Sequence, residues 1–320
     1  MSGEILITPR SVTENGHPAL QRLRAAGWSL RFSQPGRQPT EQELRELLPG
    51  CTGYLAGTEP ITAHTLRTAT ELRVISRNGT GVDAIDLQAA AQLGITVRRA
   101  EGANARGVAE LVIGHLLALS RGLAAADASL KAGVWSRPAP GLELQRRTLG
   151  LVGFGHVGRT TAHLATALGM RVAATDPLVS PSTPAPAGIT FSPLPVVLAT
   201  ADFLSLHCPP LPDGSPIIDA AAIARLKSGS FLINTARHDL VDTSAALAAL
   251  DRGHLAGMAI DVFDSEPPAN RRLLSHPRVI ASPHLGGYTR ESIDRAVHAA
   301  VDNLLEELTA DRLRRNAGPT

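Results

Sequence analysis

The sequence predicts an α/β protein made of two doubly wound domains, each with a parallel sheet. Three observations predict it. Short apolar runs alternate with helical stretches along most of the chain, the pattern of a parallel sheet with helices on both faces. The 320 residues exceed what one hydrophobic core usually organises. One strand–helix–strand unit, Leu149–Asp176, also carries a glycine pattern that the other units lack.

That unit reads LGLVGFGHVGRTTAHLATALGMRVAATD. Leu149–Val152 is an apolar strand, Gly153-Phe154-Gly155-His156-Val157-Gly158 follows at once, and Arg159–Leu168 is helical. A second strand, Met170–Ala174, leads to Asp176. This is G-x-G-x-x-G between strand and helix, with an acid after the second strand, which is the dinucleotide-binding context. Gly153 allows the tight turn, Gly155 lets backbone approach a pyrophosphate, and Gly158 lets helix and strand pack closely. Amides at the helix start face the anion with the helix dipole behind them. A carboxylate at Asp176 suits the free hydroxyls of an adenosine ribose and repels a 2′-phosphate, so NAD is expected over NADP.

Taken in order, Glu4–Thr8 reads as a strand, followed by a loop and a helix near Pro18–Ala26. Ser29–Phe32 is a strand. Thr40 caps a helix at Glu41–Leu48, with Glu43 at the capping-box position. Tyr54–Ala56 is a strand, Thr62–Thr68 a helix and Val74–Ser76 a strand running into Arg77-Asn78-Gly79-Thr80-Gly81. Asp86–Leu93 is helical and Ile95–Val97 a strand. Ala103–Gly122 reads as one long helix, with apolar residues at helical spacing, and Pro138–Gly141 as a connector. Pro177–Pro195 lacks periodicity and reads as a surface excursion. Strands then recur at Asp202–His207, Phe231–Asn234, Met258–Val262 and Val279–Ala281, with helices at Ala220–Leu226 and Thr243–Gly253. Thr289–Leu308 is a long closing helix.

Composition narrows the function. Aromatic residues are 3% and net charge is +2, so neither stacking platforms nor a phosphate-tracking face for nucleic acid is expected. Val108–Leu119 is too short to span a bilayer and contains Glu110 and His115, so no membrane partner is expected. Two cysteines, Cys51 and Cys208, make no disulfide framework. The first residues lack a signal-peptide layout. A cytoplasmic setting without a bound metal is the expectation.

Polar groups cluster just past the later strands. Arg237 follows Phe231–Asn234, Glu266 follows Met258–Val262 and His284 follows Val279–Ala281. In open α/β sheets ligands bind beyond the carboxyl ends of the strands. An arginine fork binds a carboxylate through paired hydrogen bonds. A histidine exchanges protons near neutral pH. A neighbouring carboxylate stabilises the protonated ring and fixes its tautomer. Singly, each residue is an ordinary loop residue. Together, after a dinucleotide fold, they match what hydride transfer to a 2-keto acid requires.

The stretches SRNGTGVDAID, NARGVAELVIGHLLALSR, GLVGFGHVG, HCPP, INTARHDLVD, GMAIDVFDSEPP and SPHLGGYT resemble the D-isomer-specific 2-hydroxyacid dehydrogenases, in the family's order across residues 74 to 290. The motifs are most similar to phosphoglycerate dehydrogenase-like members. The resemblance implies a Rossmann NAD-binding domain, residues 101–288, inserted into a flavodoxin-like substrate domain, residues 1–100 plus 289–320. It implies that Arg237 binds and polarises the substrate, that His284 is the acid/base and that Glu266 is its partner. The nicotinamide then rests near Thr235, Ala236 and His284–Gly287, including Gly286 and Gly287, with Asp261 holding its carboxamide. By the same resemblance His156 and Val157 lie at the pyrophosphate, His207 and Cys208 line the cofactor cleft, and Thr80 approaches it from the other domain.

The Asn78–Gly81 turn resembles the family's carboxylate cradle, and Arg77 matches an arginine that phosphoglycerate-specific members place near the phosphate. Arg77, Asn78 and Gly79 are therefore the expected substrate contacts, although Arg77 also suits an ion pair on the domain surface. The expected substrate is a small anionic 2-keto or 2-hydroxy acid, phosphorylated or phosphonylated. The alternatives are a glyoxylate or hydroxypyruvate reductase, or a non-catalytic NAD(H)-sensing scaffold like the related corepressors. A formate-type enzyme would carry Gln where Glu266 stands. Two positions depart from the family pattern: His238 replaces a typical Gly, and Gly107 replaces Ser beside Arg106. Many phosphoglycerate dehydrogenases continue into a regulatory domain; with the sequence stopping at Thr320, none is expected. The resemblance also implies a homodimer through the Ala103–Gly122 region.

Overall fold

The computed structural model describes residues 3–137, 140–180 and 182–316. The chain forms two compact units, one from the residues up to Asn104 and from Arg290 onward, the other Ala105–Thr289.

The first unit contains β1 (Glu4–Ile7), β2 (Ser29–Phe32), β3 (Cys51–Ala56), β4 (Val74–Arg77) and β5 (Thr96–Arg99). Its helices are α1 (Arg10–Asn15), α2 (Leu20–Ala25), α3 (Glu41–Leu47), α4 (Ala63–Thr68) and α5 (Leu87–Gln92). All pairings are parallel, in the order β2-β1-β3-β4-β5. Chain order reverses between β1 and β3. Alternation along the strands sends side chains to opposite faces. Leu6, Tyr54 and Ile75 pack with Leu44, Leu66 and Ala89 on one face, while Ile5, Ile7 and Leu55 pack with Leu20 and Leu23 on the other. Helix starts are set by side chains. Thr40 and Glu43 form the capping box, and Thr62 and Asp86 each accept an amide of the first turn.

The second unit opens with α6 (Ala105–Arg121) and α7 (Leu123–Lys131). Then follow β6 (Thr148–Val152), α8 (His156–Ala167), β7 (Arg171–Thr175), β8 (Ile189–Phe191), α9 (Leu194–Thr200) and β9 (Phe203–Leu206). The unit finishes with α10 (Ala220–Arg225), β10 (Ser230–Asn234), α11 (Thr243–Asp251), β11 (Leu255–Ile260), α12 (Arg271–Leu274) and β12 (Val279–Ala281). Its seven parallel strands run β12-β11-β10-β9-β6-β7-β8, the doubly wound nucleotide-binding order, with reversal between β6 and β9. Leu149, Leu151 and Ile233 pack on Val112, Leu116, Ala162 and Ala165. Val152, Leu204, Leu232 and Ile260 pack on Val197, Ile223, Leu247 and Leu250. The chain then closes with α13 (Arg290–Asn316), whose Val297, Val301, Leu304 and Leu308 complete the first unit's core with Ile5 and Leu55.

Several expectations need correction. The loop expected after the first strand contains α1. The long helix expected over Ala103–Gly122 ends at Arg121, because Gly122 takes φ 60, ψ 32, a left-handed geometry that redirects the chain into α7. Pro177–Pro195 is not only a surface excursion: it holds β8, the outermost strand of the second sheet. The closing helix runs to Asn316. Pro138 and Ala139 of the expected connector lie outside the described residues. Among the described residues no single helix is long and apolar enough to cross a membrane.

Candidate active site

The glycine turn sits where the second sheet reverses. Gly153 has φ +100, and a Cβ there would come within 2.6 Å of the His207 carbonyl, so only glycine lets the loops after β6 and β9 meet. A Cβ at Gly158 would overlap the Gly153 carbonyl oxygen. At Gly155 a Cβ would meet nothing within 4 Å. Space lies there, at the start of α8, whose N-cap Gly155 offers no side-chain cap to the first-turn amides of His156, Val157 and Gly158. Asp176, after β7, accepts the Phe154 amide at 2.7 Å on Oδ2 and the Leu178 amide at 2.8 Å on Oδ1. Each oxygen keeps a lone pair for a further donor.

His207 and Cys208 follow β9. Burial pushes the His207 imidazole down to about 3, so the ring is neutral near pH 7. Its Nε2 lies 3.0 Å from Ser205 Oγ. Burial pushes the Cys208 thiol up to about 11, and the charge of Asp176 adds to the shift. The thiol therefore stays protonated near neutral pH.

Arg237 is presented by a loop that the sequence reading did not explain. Asn234, the last residue of β10 and 2% exposed, donates Nδ2 to the Arg237 carbonyl at 2.8 Å and accepts the Ala236 amide on Oδ1 at 3.1 Å. This buried amide fixes Thr235–Arg237. Arg237 Nη1 donates to the Ala236 carbonyl at 2.7 Å. Thr235 Oγ1 is buried and has no hydrogen-bond partner among the described residues. His238 opens a short 3-10 turn, His238–Leu240. Its ring lies 3.3 Å from Asp239 Oδ1 and 3.4 Å from Thr243 Oγ1, turned along its own segment.

His284 and Glu266 are brought together from loops 18 residues apart, with Nδ1 2.7 Å from Oε1. Both side chains are about half exposed. The carboxylate accepts from Nδ1–H, so Nε2 is the nitrogen left for chemistry. His284 has φ 55, a left-handed conformation that a non-glycine residue adopts at a cost. Asp261, 1% exposed, accepts the amides of the next two residues: Leu285 at 2.7 Å on Oδ1 and Gly286 at 2.8 Å on Oδ2. A Cβ at Gly286 would approach Asp261 Oδ2 to 3.1 Å. Gly287 follows in the same loop.

The other expected contacts lie in the first unit. Arg77 ends β4, and its Nη1 donates to the Asn78 carbonyl at 2.5 Å. Gly79 has φ +148, and its Cβ position is 3.0 Å from Arg77 Nη1, so the guanidinium lies over the turn. The Asn78 amide donates to the Ala56 carbonyl and the Gly79 amide to the Arg77 carbonyl. Thr80 Oγ1 donates to Asn104 Oδ1 at 2.9 Å. Arg106 pairs with Glu110 one helical turn away.

A dinucleotide fits the second unit on three features of the chain itself: the open space at Gly155, the acceptor capacity of Asp176 and the unpartnered hydroxyl of Thr235. Among the described residues no group of three or more His, Cys, Asp or Glu is arranged to hold a metal. Sequence reasoning missed Asn234, Ser282 and His115. Asn234 and Ser282 were findable as the polar residues ending or following strands, whereas His115 carries no sequence signal.

The family model described as "D-isomer specific 2-hydroxyacid dehydrogenase, NAD binding domain" matches residues 113–286. The chain is 38% identical over 258 residues to a D-3-phosphoglycerate dehydrogenase of Rattus norvegicus, covering 80% of this chain and 48% of that one. It thus spans about half the length of the curated relatives it matches. Among solved structures, the TT0316 protein from Thermus thermophilus superimposes with a TM-score of 0.84 at 35% identity, over 96% of this chain and 97% of that one. A D-2-hydroxyisocaproate dehydrogenase superimposes with a TM-score of 0.83 at 27% identity, over 96% and 97%. The doubly wound order around the glycine turn and the matching model lead to one conclusion: the chain belongs to the D-isomer-specific 2-hydroxyacid dehydrogenase family, and its second unit is that family's NAD-binding domain.

Proposed function

We propose that the protein interconverts a D-2-hydroxy acid and its 2-keto acid with NAD(H). The observation that carries this reading is the His284–Glu266 pair, 2.7 Å apart, beyond the same strand ends as Arg237 in a domain built for NAD. Bound NADH supplies the hydride, and NAD+ accepts it in reverse. Arg237 holds the substrate carboxylate through its fork and polarises the keto oxygen. His284 Nε2–H delivers a proton to that oxygen as the alcohol forms, and recovers it in the other direction. Glu266 accepts from Nδ1–H, which fixes the ring's orientation and leaves Nε2 to face the substrate oxygen. Thr235, Ala236 and the His284–Gly287 loop seat the nicotinamide. Asp176 receives the ribose hydroxyls, and its fixed carboxylate disfavours a 2′-phosphate.

The proposed substrate is a phosphorylated or phosphonylated acid, supported by Arg77 and by the likeness to D-3-phosphoglycerate dehydrogenases. With the Asn78 and Gly79 amides spent on Ala56 and Arg77, the amides of Thr80 and Gly81 are the ones left to meet a carboxylate. A second reading, a reductase of glyoxylate or hydroxypyruvate, draws on Arg77 itself, whose Nη1 is engaged by the Asn78 carbonyl. We propose further that the chain acts as a homodimer in a reducing cytoplasm. Helix α7 has no buried residue, and Leu123, Leu130, Val134 and Trp135 are all more than half exposed.

The test is NADH oxidation, followed by loss of reduced-nicotinamide absorbance, against glyoxylate, hydroxypyruvate, phosphohydroxypyruvate, phosphonopyruvate and pyruvate, with NADPH in parallel. Preference for the phosphorylated or phosphonylated acids is expected. Equal or better rates with the small acids select the second reading. No turnover with NADH still bound leaves a non-catalytic sensor. Arg237→Ala should abolish turnover and leave NADH binding near normal.

A further inference from the structure

His115 lies in the middle of α6, 5% exposed, and has no part in the chemistry proposed above. Its Nε2 sits 3.3 Å from Ser282 Oγ, a residue 167 positions later in the chain. Ser282 Oγ lies 2.6 Å from Asp261 Oδ1. A hydroxyl has one proton to give. The shorter contact, to the carboxylate, takes it, so Ser282 accepts from His115 Nε2–H. The result is one directed chain of hydrogen bonds, from His115 to Ser282 to Asp261.

This chain ends on the backbone that holds His284. Asp261 Oδ1 also accepts the Leu285 amide, and Oδ2 accepts the Gly286 amide. On the other side, the His284 amide donates to the Ser282 carbonyl at 3.0 Å. Residues before and after His284 are thus fastened to one buried serine–aspartate pair, and His284 between them is kept at φ 55. A left-handed non-glycine residue persists only where its surroundings enforce it. Ser282 Oγ has an alternative acceptor in the Ile260 carbonyl, 3.4 Å away. A donor at His115 keeps the hydroxyl committed to Asp261.

We propose that His115 is a positioning residue: through Ser282 and Asp261 it fixes the backbone that aims the His284 ring. The proposal rests on the reading of His284 as proton carrier. Burial holds the His115 imidazole in its neutral form, with Asp261 opposing that shift. A neutral ring with its hydrogen on Nε2 is the form the chain requires.

The test uses the full-length protein with His115→Leu, His115→Gln and Ser282→Ala. Glutamine reaches a similar distance along the helix and keeps an N–H donor; leucine keeps volume alone. Two readouts are taken. One is kcat and KM on whichever keto acid the parent reduces. The other is the titration of the His284 ring in the ligand-free protein, followed by NMR on histidine-labelled samples and assigned by its loss in His284→Gln. His115→Leu is expected to lower kcat about tenfold, with KM for NADH changed by less than about twofold, as for a reacting group displaced by a fraction of an ångström. It should also move the His284 titration. His115→Gln should restore both, and the His115→Leu/Ser282→Ala double variant should be no worse than the more impaired single variant.

Parent-like kcat and titration in His115→Leu overturns the proposal. So does a loss that glutamine does not restore, or single losses that simply multiply in the double variant. If His115→Leu fails to fold, Ser282→Ala, which keeps the histidine in place, decides alone. A parent that reduces no keto acid refutes the catalytic reading, while the NMR titration still tests the positioning.

Discussion

The two sheets reverse chain order at comparable places, and the two crevices are filled in opposite ways. In the second unit the loops after β6 and β9 meet, and Gly153 is pressed against the His207 carbonyl. The turn then opens into space at Gly155. In the first unit the loops after β1 and β3 also meet, with Thr8 on one and Gly57 on the other. Here the chain fills its own crevice. Glu59, 1% exposed, accepts on Oε1 from the Thr8 hydroxyl, the Tyr54 hydroxyl at 2.5 Å and the Gly57 amide at 2.8 Å. A Cβ at Gly57 would lie 2.5 Å from Glu59 Oε2. Burial and the nearby Glu59 charge push the Tyr54 phenol well above its ordinary value, so it stays a donor. Glycine makes room for a ligand in one crevice and for the protein's own carboxylate in the other. Topology marks where a site can be; side chains decide whether it is one.

The largest effect that bears on this contrast is expected of His284→Gln, which removes the proposed proton carrier beyond the open crevice. Turnover should fall about a thousandfold, the usual scale for general acid–base catalysis, with NADH binding retained. A fully active variant rules His284 out as the proton carrier.

Acid should attack the open crevice through His207. Its folded-state value of about 3 lies below the ordinary value of about 6.5 for an unfolded histidine. Between those limits the unfolded chain binds the extra proton. Stability from this group is therefore full above about pH 6.5 and is lost as pH falls toward 3, by about 1.4 kcal/mol per pH unit within the window. Denaturant melts of the parent and His207→Gln across that range should converge as the pH drops. Parallel curves would remove His207 as a source of acid sensitivity.

The glycines sharpen the comparison directly. Gly153→Ala and Gly57→Ala should each cost about 1–3 kcal/mol of stability from overpacking. Only Gly153→Ala should also weaken NADH binding measured by fluorescence. Equal weakening in both variants would mean that the first unit's crevice is not closed to ligand.

Smallest is Glu59→Gln. It keeps the shape and an amide oxygen to accept the three donors that meet Oε1, but exchanges charged-acceptor hydrogen bonds for neutral ones, at a cost of about 1 kcal/mol. The melting temperature should fall with NADH affinity untouched. A lowered affinity would show that Glu59 serves the cofactor.

What was legible in the sequence follows the same division. The glycine turn could be read because its requirements are local: a strand, three glycines at fixed spacing and an acid after the next strand. Arg237, Glu266 and His284 could be read because strand ends announce where ligands bind. Glu59 could not, since its meaning comes from Thr8, 51 residues earlier. His115 could not either, because inside an apolar helix it is one polar letter whose partner is 167 residues away. β8 was hidden by its length, three residues at the sheet's margin among prolines and serines. α7 was hidden because a left-handed glycine changes direction without changing composition.

The return of α13 to the first unit has a consequence for biogenesis. Val297, Val301, Leu304 and Leu308 complete the core face formed by Ile5, Ile7 and Leu55. During vectorial synthesis the strands β1–β5 emerge before α13, so one face of their sheet is covered only in part, by Leu20 and Leu23 of α2, until α13 leaves the ribosome. The NAD-binding unit, contiguous from Ala105 to Thr289, has all its parts earlier. Order of translation and order of maturation are thereby inverted, and the earliest residues wait longest for protection. Nascent chains stalled before Val297 should be cut by protease within β1–β5 and spared within β6–β12; equal resistance of both segments would refute the inversion.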